Sequence, residues 1–571
     1  MSKFFFTSFF MAVVIPIFLY AQAADTVYVP NDNNAGTINN VIQGDTLANG
    51  SRTNPNRVYM LYRGGYYQLN ATLTTNPGTH ITIIGEPANK PNTGADSGMA
   101  VVVEAAGWPG TLSQFMDSYG DLTIKNVWMI YADPSGTNNW WVIQFEQNSN
   151  PQAFGDFDNC IFDYVRGIGV MANRTDFVGT FNNCIFRNCI DPGQWWAGRM
   201  IATNGSSSTM DSVGAENCTF ENMGFAYQTD YIPPARVWFN HNTFLNIVKF
   251  AFKFYYMTHL VCTNNIFVNC HFSGERFSDR SGQDPDNLLW GAVLDVDTLP
   301  TDVNYNNVSE LQRVVLFNNN SNYTSPVFQT WYNTYNDTAA TLKGKIQPEP
   351  MMNDRTLDMF NWHPYMKMKN VYNSDGIGEA YNPRFVKEAT NLDSIYSFLQ
   401  AKYVTGGNVF WGYNPDPSGT WPLKENLAYS NDTLLHAGIS GYPLGDLYHW
   451  FPAKYATWLP QRASEDHYIF QTITSVKQVS NSIPNIFVLN QNYPNPFNPA
   501  TQIEYSIPQS GFVTLKVYNV LGQEVSTLFS GMQTPGSYKA TFDGSSLASG
   551  VYLYRLEAGK FSVTKKMIFM K

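Results

Sequence analysis

The chain has 571 residues, 44% of them hydrophobic and 15% aromatic, enough to build a large buried core over about two to four domains. Only 14% are charged and the net charge is −10, which excludes a coiled coil, an acidic disordered chain and a basic nucleic-acid binder. With so few ionic groups the surface must be covered by Asn, Ser, Thr, Gln and Tyr, which suits an extracellular protein and hydroxyl-rich ligands.

The N-terminus reads as an address. Lys3 supplies a positive start, Phe4 to Leu19 is apolar apart from Thr7, Ser8 and Pro16, and Ala21-Gln22-Ala23 is a small-x-small cleavage site. Residues 1–23 are therefore predicted to be a secretory signal peptide. The apolar run falls short of the ~20 residues that span a bilayer. No later stretch is long and apolar enough, so no transmembrane segment is expected after cleavage.

The middle of the chain repeats. Asn159-Cys160-Ile161-Phe162 recurs as Asn183-Cys184-Ile185-Phe186 and Asn217-Cys218-Thr219-Phe220. Looser copies are His241-Asn242-Thr243-Phe244 and Asn264-Asn265-Ile266-Phe267, with Phe spacings of 24, 34, 24 and 23. Earlier turns are visible at Ile81–Ile84 and Ile124–Met129, and a later one at Val314–Asn319. Short β-type runs, Asn at the turns and no helical periodicity predict an all-β fold, a right-handed parallel β-helix. Equivalent residues then stack about 4.8 Å apart. Phe162, Phe186, Phe220, Phe244 and Phe267 become an inward aromatic ladder and the Asn positions a turn ladder, because Asn tolerates the left-handed conformation. The longer Phe186–Phe220 spacing implies an extruded loop around Asp191–Arg199, and Ala24 to about Asn54 is expected to cap the open end. Cys160, Cys184 and Cys218 share one repeat position. They read as small buried residues, although stacked neighbours in a secreted protein also have the reach for a disulfide.

Arg57–Tyr67 and Ile81–Glu86 resemble the first coils of pectate-lyase-like β-helix proteins, and the resemblance spans about residues 50–330. With the cap at the open end, the β-helix is read over 24–330. Residues 331–474 are read as late coils, loops and a C-terminal cap, with an N-capped helix beginning at Asn391, and 475–484 as a linker.

From Ser482 the character changes. Asn492-Tyr493-Pro494-Asn495-Pro496-Phe497-Asn498-Pro499 forbids a helix, and alternating runs at 501–507, 513–518, 538–542, 550–556 and 561–569 follow. About seven short strands predict a small immunoglobulin-like β-sandwich. The segment 485–571 resembles the type A C-terminal sorting domain of type IX secretion cargo. The resemblance is carried by the YPNPFNP box, Val517–Val525, Ala548–Tyr552 and Thr564–Met567. It implies the type IX machinery as a partner. It also implies export across the outer membrane of a Gram-negative bacterium to the cell surface or medium.

Two chemistries act on acidic polysaccharides. Hydrolases need paired carboxylates. Lyases need a base, Lys or Arg, and often Ca²⁺ held by Asp or Glu to neutralise the uronate carboxylate. The sequence boxes of polygalacturonases, the main pectate lyases and pectin methylesterases are absent. The candidate catalytic residues are Lys249 and Lys253, whose even spacing puts both on one strand face, and Arg236 one coil earlier. Ordinary polar-out alternation gives the same spacing. Asp156 and Asp158 flank Phe157 and are either a candidate Ca²⁺ site or solvated turn residues. In the adjacent pairs Trp140, Trp141 and Trp195, Trp196 one ring must face outward, where aromatics stack on sugars; with Arg199 they are the candidate substrate-binding residues. Glu275, Arg276, Asp279 and Arg280 form a mixed-charge loop. Two readings follow: a polysaccharide-binding protein that cleaves uronic-acid polymers as a lyase, or a non-catalytic adhesin, glycan-binding or matrix protein.

Overall fold

The computed structural model describes residues 25–571 apart from 88–97, 106–111, 133–140, 148–152, 192–196, 229–233, 277–291, 301–309, 339–345, 406–416, 481–485 and shorter gaps. The predicted signal peptide, Trp140, Trp195, Trp196, Asp279 and Arg280 lie outside the described residues. The chain divides into two compact units, Ala23–Thr457 and Trp458–Lys571.

The first unit is a parallel β-helix. Nineteen strands form two parallel stacks, joined through the long strands Val314–Tyr323 and Met366–Ser374 that run across both. The first sheet runs from Thr26–Val29 through Asp121–Lys125, Ala153–Asp158 and Arg236–Asn240 to His259–Thr263. The second runs from Tyr66–Leu69 through Ile161–Asp163 and Thr219–Met223 to Ile266–Cys270. A third, shorter sheet contains Trp141–Glu146, Ile168–Asn173 and Arg199–Thr203. Three faces around one core are what the 23- to 24-residue period demands.

The predicted ladder is in register: Phe162 pairs with Phe186, Phe186 with Phe220, Phe220 with Phe244 and Phe244 with Phe267. Their rings stack with centroids 4.5, 5.4, 4.7 and 4.8 Å apart and planes within 11° of parallel. Asn126, Asn159, Asn183, Asn217, His241, Asn264 and Asn319 turn the corner between the first two sheets with φ of 51–58°. Those left-handed values explain why Asn, whose side chain bonds locally, occupies the position. A second corner ladder, Asn188, Asn222, Asn246 and Asn269, is tied coil to coil by amide bonds of 3.0–3.5 Å.

Inside the first corner the slot held by Cys160, Cys184 and Cys218 passes to Asn242, Asn265 and Asn320. These fully buried amides form a chain in which Asn242 Nδ2 donates to Asn265 Oδ1 and Asn265 Nδ2 to Asn320 Oδ1, both at 3.0 Å. All six cysteines are free and buried. Burial, reinforced by Cys160 and Cys218, pushes the Cys184 thiol up. A thiolate is the reactive species, so a thiol reagent is expected to label none of the six in the native protein and all six after denaturation. Native labelling at any of them counts against this packing.

The helix Thr37–Gly44 closes the N-terminal end, with Ile38 and Ile42 entering the core and Asn39 Nδ2 donating to Ala71 O at 2.7 Å. The helix predicted near 391 is Leu392–Gln400, capped by Asn391 Oδ1 on the Ser394 amide. Residues 417–451 lie over the outer face of the second sheet. Trp421 and Leu423 pack on Trp128, Ile161 and Ile185, and Leu427, Leu434 and Trp450 pack with Leu245, Ile266 and Val268. Among the described residues no helix is long and apolar enough to cross a membrane.

The second unit holds two four-stranded antiparallel sheets. Seven of the strands fall within the predicted sandwich, and an eighth, Val476–Ser480, arises from the predicted linker and pairs with Gly536–Asp543. Phe497 of the Pro-rich box is buried against Phe542 and Phe569.

Candidate functional site

With the second sheet covered, the first sheet keeps an outward face of its own. Alternation along Ala153–Asp158 turns Phe154, Asp156 and Asp158 outward and Phe157 inward. Register then aligns Thr123, Asp156, Thr180, Gly214 and Trp238 in one row. A neighbouring row contains Lys125, Asp158, Asn182, Glu216 and Asn240 and becomes buried at its last two members.

Asp156 and Asp158 do point to one side, as the sequence predicts, and both face an ammonium. Lys125 Nζ lies 3.3 Å from Asp156 Oδ2 and 3.9 Å from Asp158 Oδ2. Thr180 Oγ1 donates to Asp156 at 2.9 Å and Asn183 Nδ2 to Asp158 at 2.8 Å. Burial disfavours the Lys125 ammonium, but the two carboxylates outweigh it and hold the group above the usual lysine range. Among the described residues no group of three or more His, Cys, Asp or Glu is arranged to hold a metal ion.

Arg236 begins its strand three coils beyond Asp156, about 14 Å at 4.8 Å per coil. Its guanidinium is half-exposed, 3.8 Å from Asp211 Oδ1 on the preceding coil. His259 follows on the next coil. Burial, then the charge of Arg236, depresses its imidazole to about 4, so the ring is neutral at pH 7. Exposed aromatics flank the strip. Phe154 is 45% exposed, and at the N-terminal end Tyr28 and Tyr62 lie 4.9 Å apart, both largely exposed.

The other predicted residues go elsewhere. Phe252–Lys253 is a strand beyond the third sheet, whereas Lys249 sits in the bend before it, its amide bonded to Gly224 O. Lys249 therefore lies in a bend and not on the strand that holds Lys253. Trp141 and Arg199 occupy one row of the third sheet with Ile168 between them. The Arg199 guanidinium is buried over the Phe225 ring, 5.4 Å from its centroid. Sequence reasoning missed Lys125, Asp211, His259 and the Tyr28–Tyr62 pair. Spacing alone gave no signal for them, because each acquires its neighbours only across coils.

Residues 491–570 match the family model of the secretion system C-terminal sorting domain. The chain carries a type IX secretion sorting domain at its C-terminus. The matched segment holds six of the eight strands of the antiparallel sandwich, and it directs export across the outer membrane to the cell surface or extracellular space. No curated protein matches the chain, and no solved structure does.

Proposed function

We propose that the β-helix of this exported cargo binds an acidic polysaccharide along the outer face of its first sheet. The observation that carries this reading is the partly exposed strip running past Phe154 and the Lys125–Asp156–Asp158 group to Arg236 and Trp238, while the second sheet is buried under the chain's own residues. Hydroxyl, amide and aromatic groups suit sugar hydroxyls and ring faces. The half-exposed Arg236 is the group that pairs with a uronate carboxylate, through a geometry that guanidinium and carboxylate share. In a lyase the same pairing acidifies the neighbouring C–H for removal by a base, for which the neutral His259 beside Arg236 is the candidate on this face. Asp156 and Asp158 already neutralise Lys125, so no step is routed through Ca²⁺, which enters only as a variable in the assay. A second reading, a non-catalytic adhesin or matrix protein, is favoured by the internal pairing of these charges.

The test is affinity electrophoresis of the protein in pectate, alginate and glycosaminoglycan gels at pH 7, with and without Ca²⁺. The absorbance of unsaturated ends is followed in parallel. Retardation in one gel is expected, weakened about tenfold by Arg236→Ala, the loss of one charge-assisted hydrogen bond. Rising absorbance identifies a lyase. No retardation in any gel overturns the polysaccharide reading.

A further inference from the structure

Under residues 417–429 lies a group of ionisable side chains that ligand binding on the first sheet does not use. The residue after the ladder phenylalanine is Asp163, Arg187 and Glu221 in three successive coils, and register sets them side by side on the second sheet. Glu425 arrives from the covering segment. The side chains of Asp163, Glu221 and Glu425 are at most 1% exposed. Arg187 faces all three: its Nε is 3.4 Å from Asp163 Oδ2 and 3.8 Å from Glu221 Oε1, and its Nη1 donates to Glu425 Oε1 at 2.6 Å.

The donors are unevenly shared. Trp128 Nε1 and Asn188 Nδ2 both donate to Asp163, at 3.3 and 3.0 Å. Neither oxygen of Glu221 nor Oε2 of Glu425 receives a hydrogen bond from the described residues. Among the described residues the Tyr164 phenol also acts on Arg187. Three buried carboxylates around one guanidinium leave excess negative charge away from water, which is strongly unfavourable. Two facing carboxylates repel, whereas one carboxyl and one carboxylate form an O–H···O bond.

We propose that Glu221 and Glu425 share a proton that latches residues 417–429 onto the second sheet, and that its loss at rising pH lifts this strap. Burial first, then the adjacent Glu425, push the Glu221 carboxyl up, and burial raises Asp163 to about 6. A carboxyl raised in the docked state favours docking fully below its undocked range, about 4.3, and that contribution is lost as pH climbs toward the docked value. Lifting uncovers the apolar strip Trp128, Ile161 and Ile185.

The test is hydrogen–deuterium exchange on the full chain from pH 5 to 9, with rates corrected for the intrinsic effect of pH. In the wild type the protection of amides in Asn426–Tyr429 is expected to fall by up to about tenfold per pH unit as the shared proton is released, while amides of Thr219–Met223 stay protected. Glu221→Gln and Glu425→Gln, isosteric donors that need no proton, each hold the strap down at high pH. If one variant fails to fold, the other decides. Flat wild-type protection overturns the latch, as does unchanged pH dependence in the folded variants, or opening of the strap and Thr219–Met223 together.

Discussion

Replacing Phe220 by alanine is expected to destabilise the β-helix unit by about 3–5 kcal/mol, the range for deleting a fully buried aromatic ring. The ring has no exposed surface. It is stacked on both sides, 5.4 Å from Phe186 and 4.7 Å from Phe244. A cavity there cannot collapse easily, because the strands above and below are pinned in register through Phe186 and Phe244. In a solenoid each coil is stabilised chiefly by its two neighbours, so the loss falls on two interfaces at once. Every tryptophan but Trp458 lies in this unit, so urea unfolding followed by tryptophan fluorescence reports chiefly on it. Phe154→Ala is the control: the ring is on the outer face, and its removal is expected to change stability by less than about 0.5 kcal/mol. Equal effects for the two variants would mean that Phe220 is not stacked in the core.

The ladder was legible because a parallel stack repeats its environment once per coil, so the same residue type recurs at nearly fixed spacing. The left-handed corner was legible for the same reason, since one backbone geometry selects Asn coil after coil. Other features escaped because they break the repeat or cross it. Asn242, Asn265 and Asn320 take over the interior cysteine slot. As isolated asparagines they read as turn residues, and only amide-to-amide bonding across coils makes their burial tolerable. The succession Asp163, Arg187, Glu221 is visible after the ladder phenylalanines, yet its fourth member, Glu425, lies 204 residues beyond Glu221 in the chain. The same distance hid the covering segment, and with it which outer face stays open. For Lys249 and Lys253 an even spacing suggested one strand, and Lys249 falls instead in a bend before the short strand that holds Lys253. Arg236 alone among the predicted catalytic residues stands on the open face, and its neighbours Asp211 and His259 come from adjacent coils.

Truncation after Asn490 is expected to abolish export: the protein accumulates in the periplasm and disappears from surface and medium fractions, as read by fractionation and immunoblotting in a Gram-negative host with a type IX system. The sorting domain is a compact sandwich with a core of its own, and its two box aromatics separate folding from recognition. Phe497 is buried between Phe542 and Phe569. Phe497→Ala removes about 3–5 kcal/mol, comparable with the 5–15 kcal/mol that a whole domain of this size has in reserve. Export is expected to fail with it, through loss of the fold. Tyr493, four residues earlier, is 81% exposed, and Tyr493→Ala is expected to leave the fold intact. If export of that variant drops while the domain stays protease-resistant, the machinery reads the Tyr493 ring itself. If export is unchanged, the box serves to build the sandwich, and recognition rests on another part of its surface. Normal export of the truncated chain would overturn the assignment of residues 491–570 as the sorting signal.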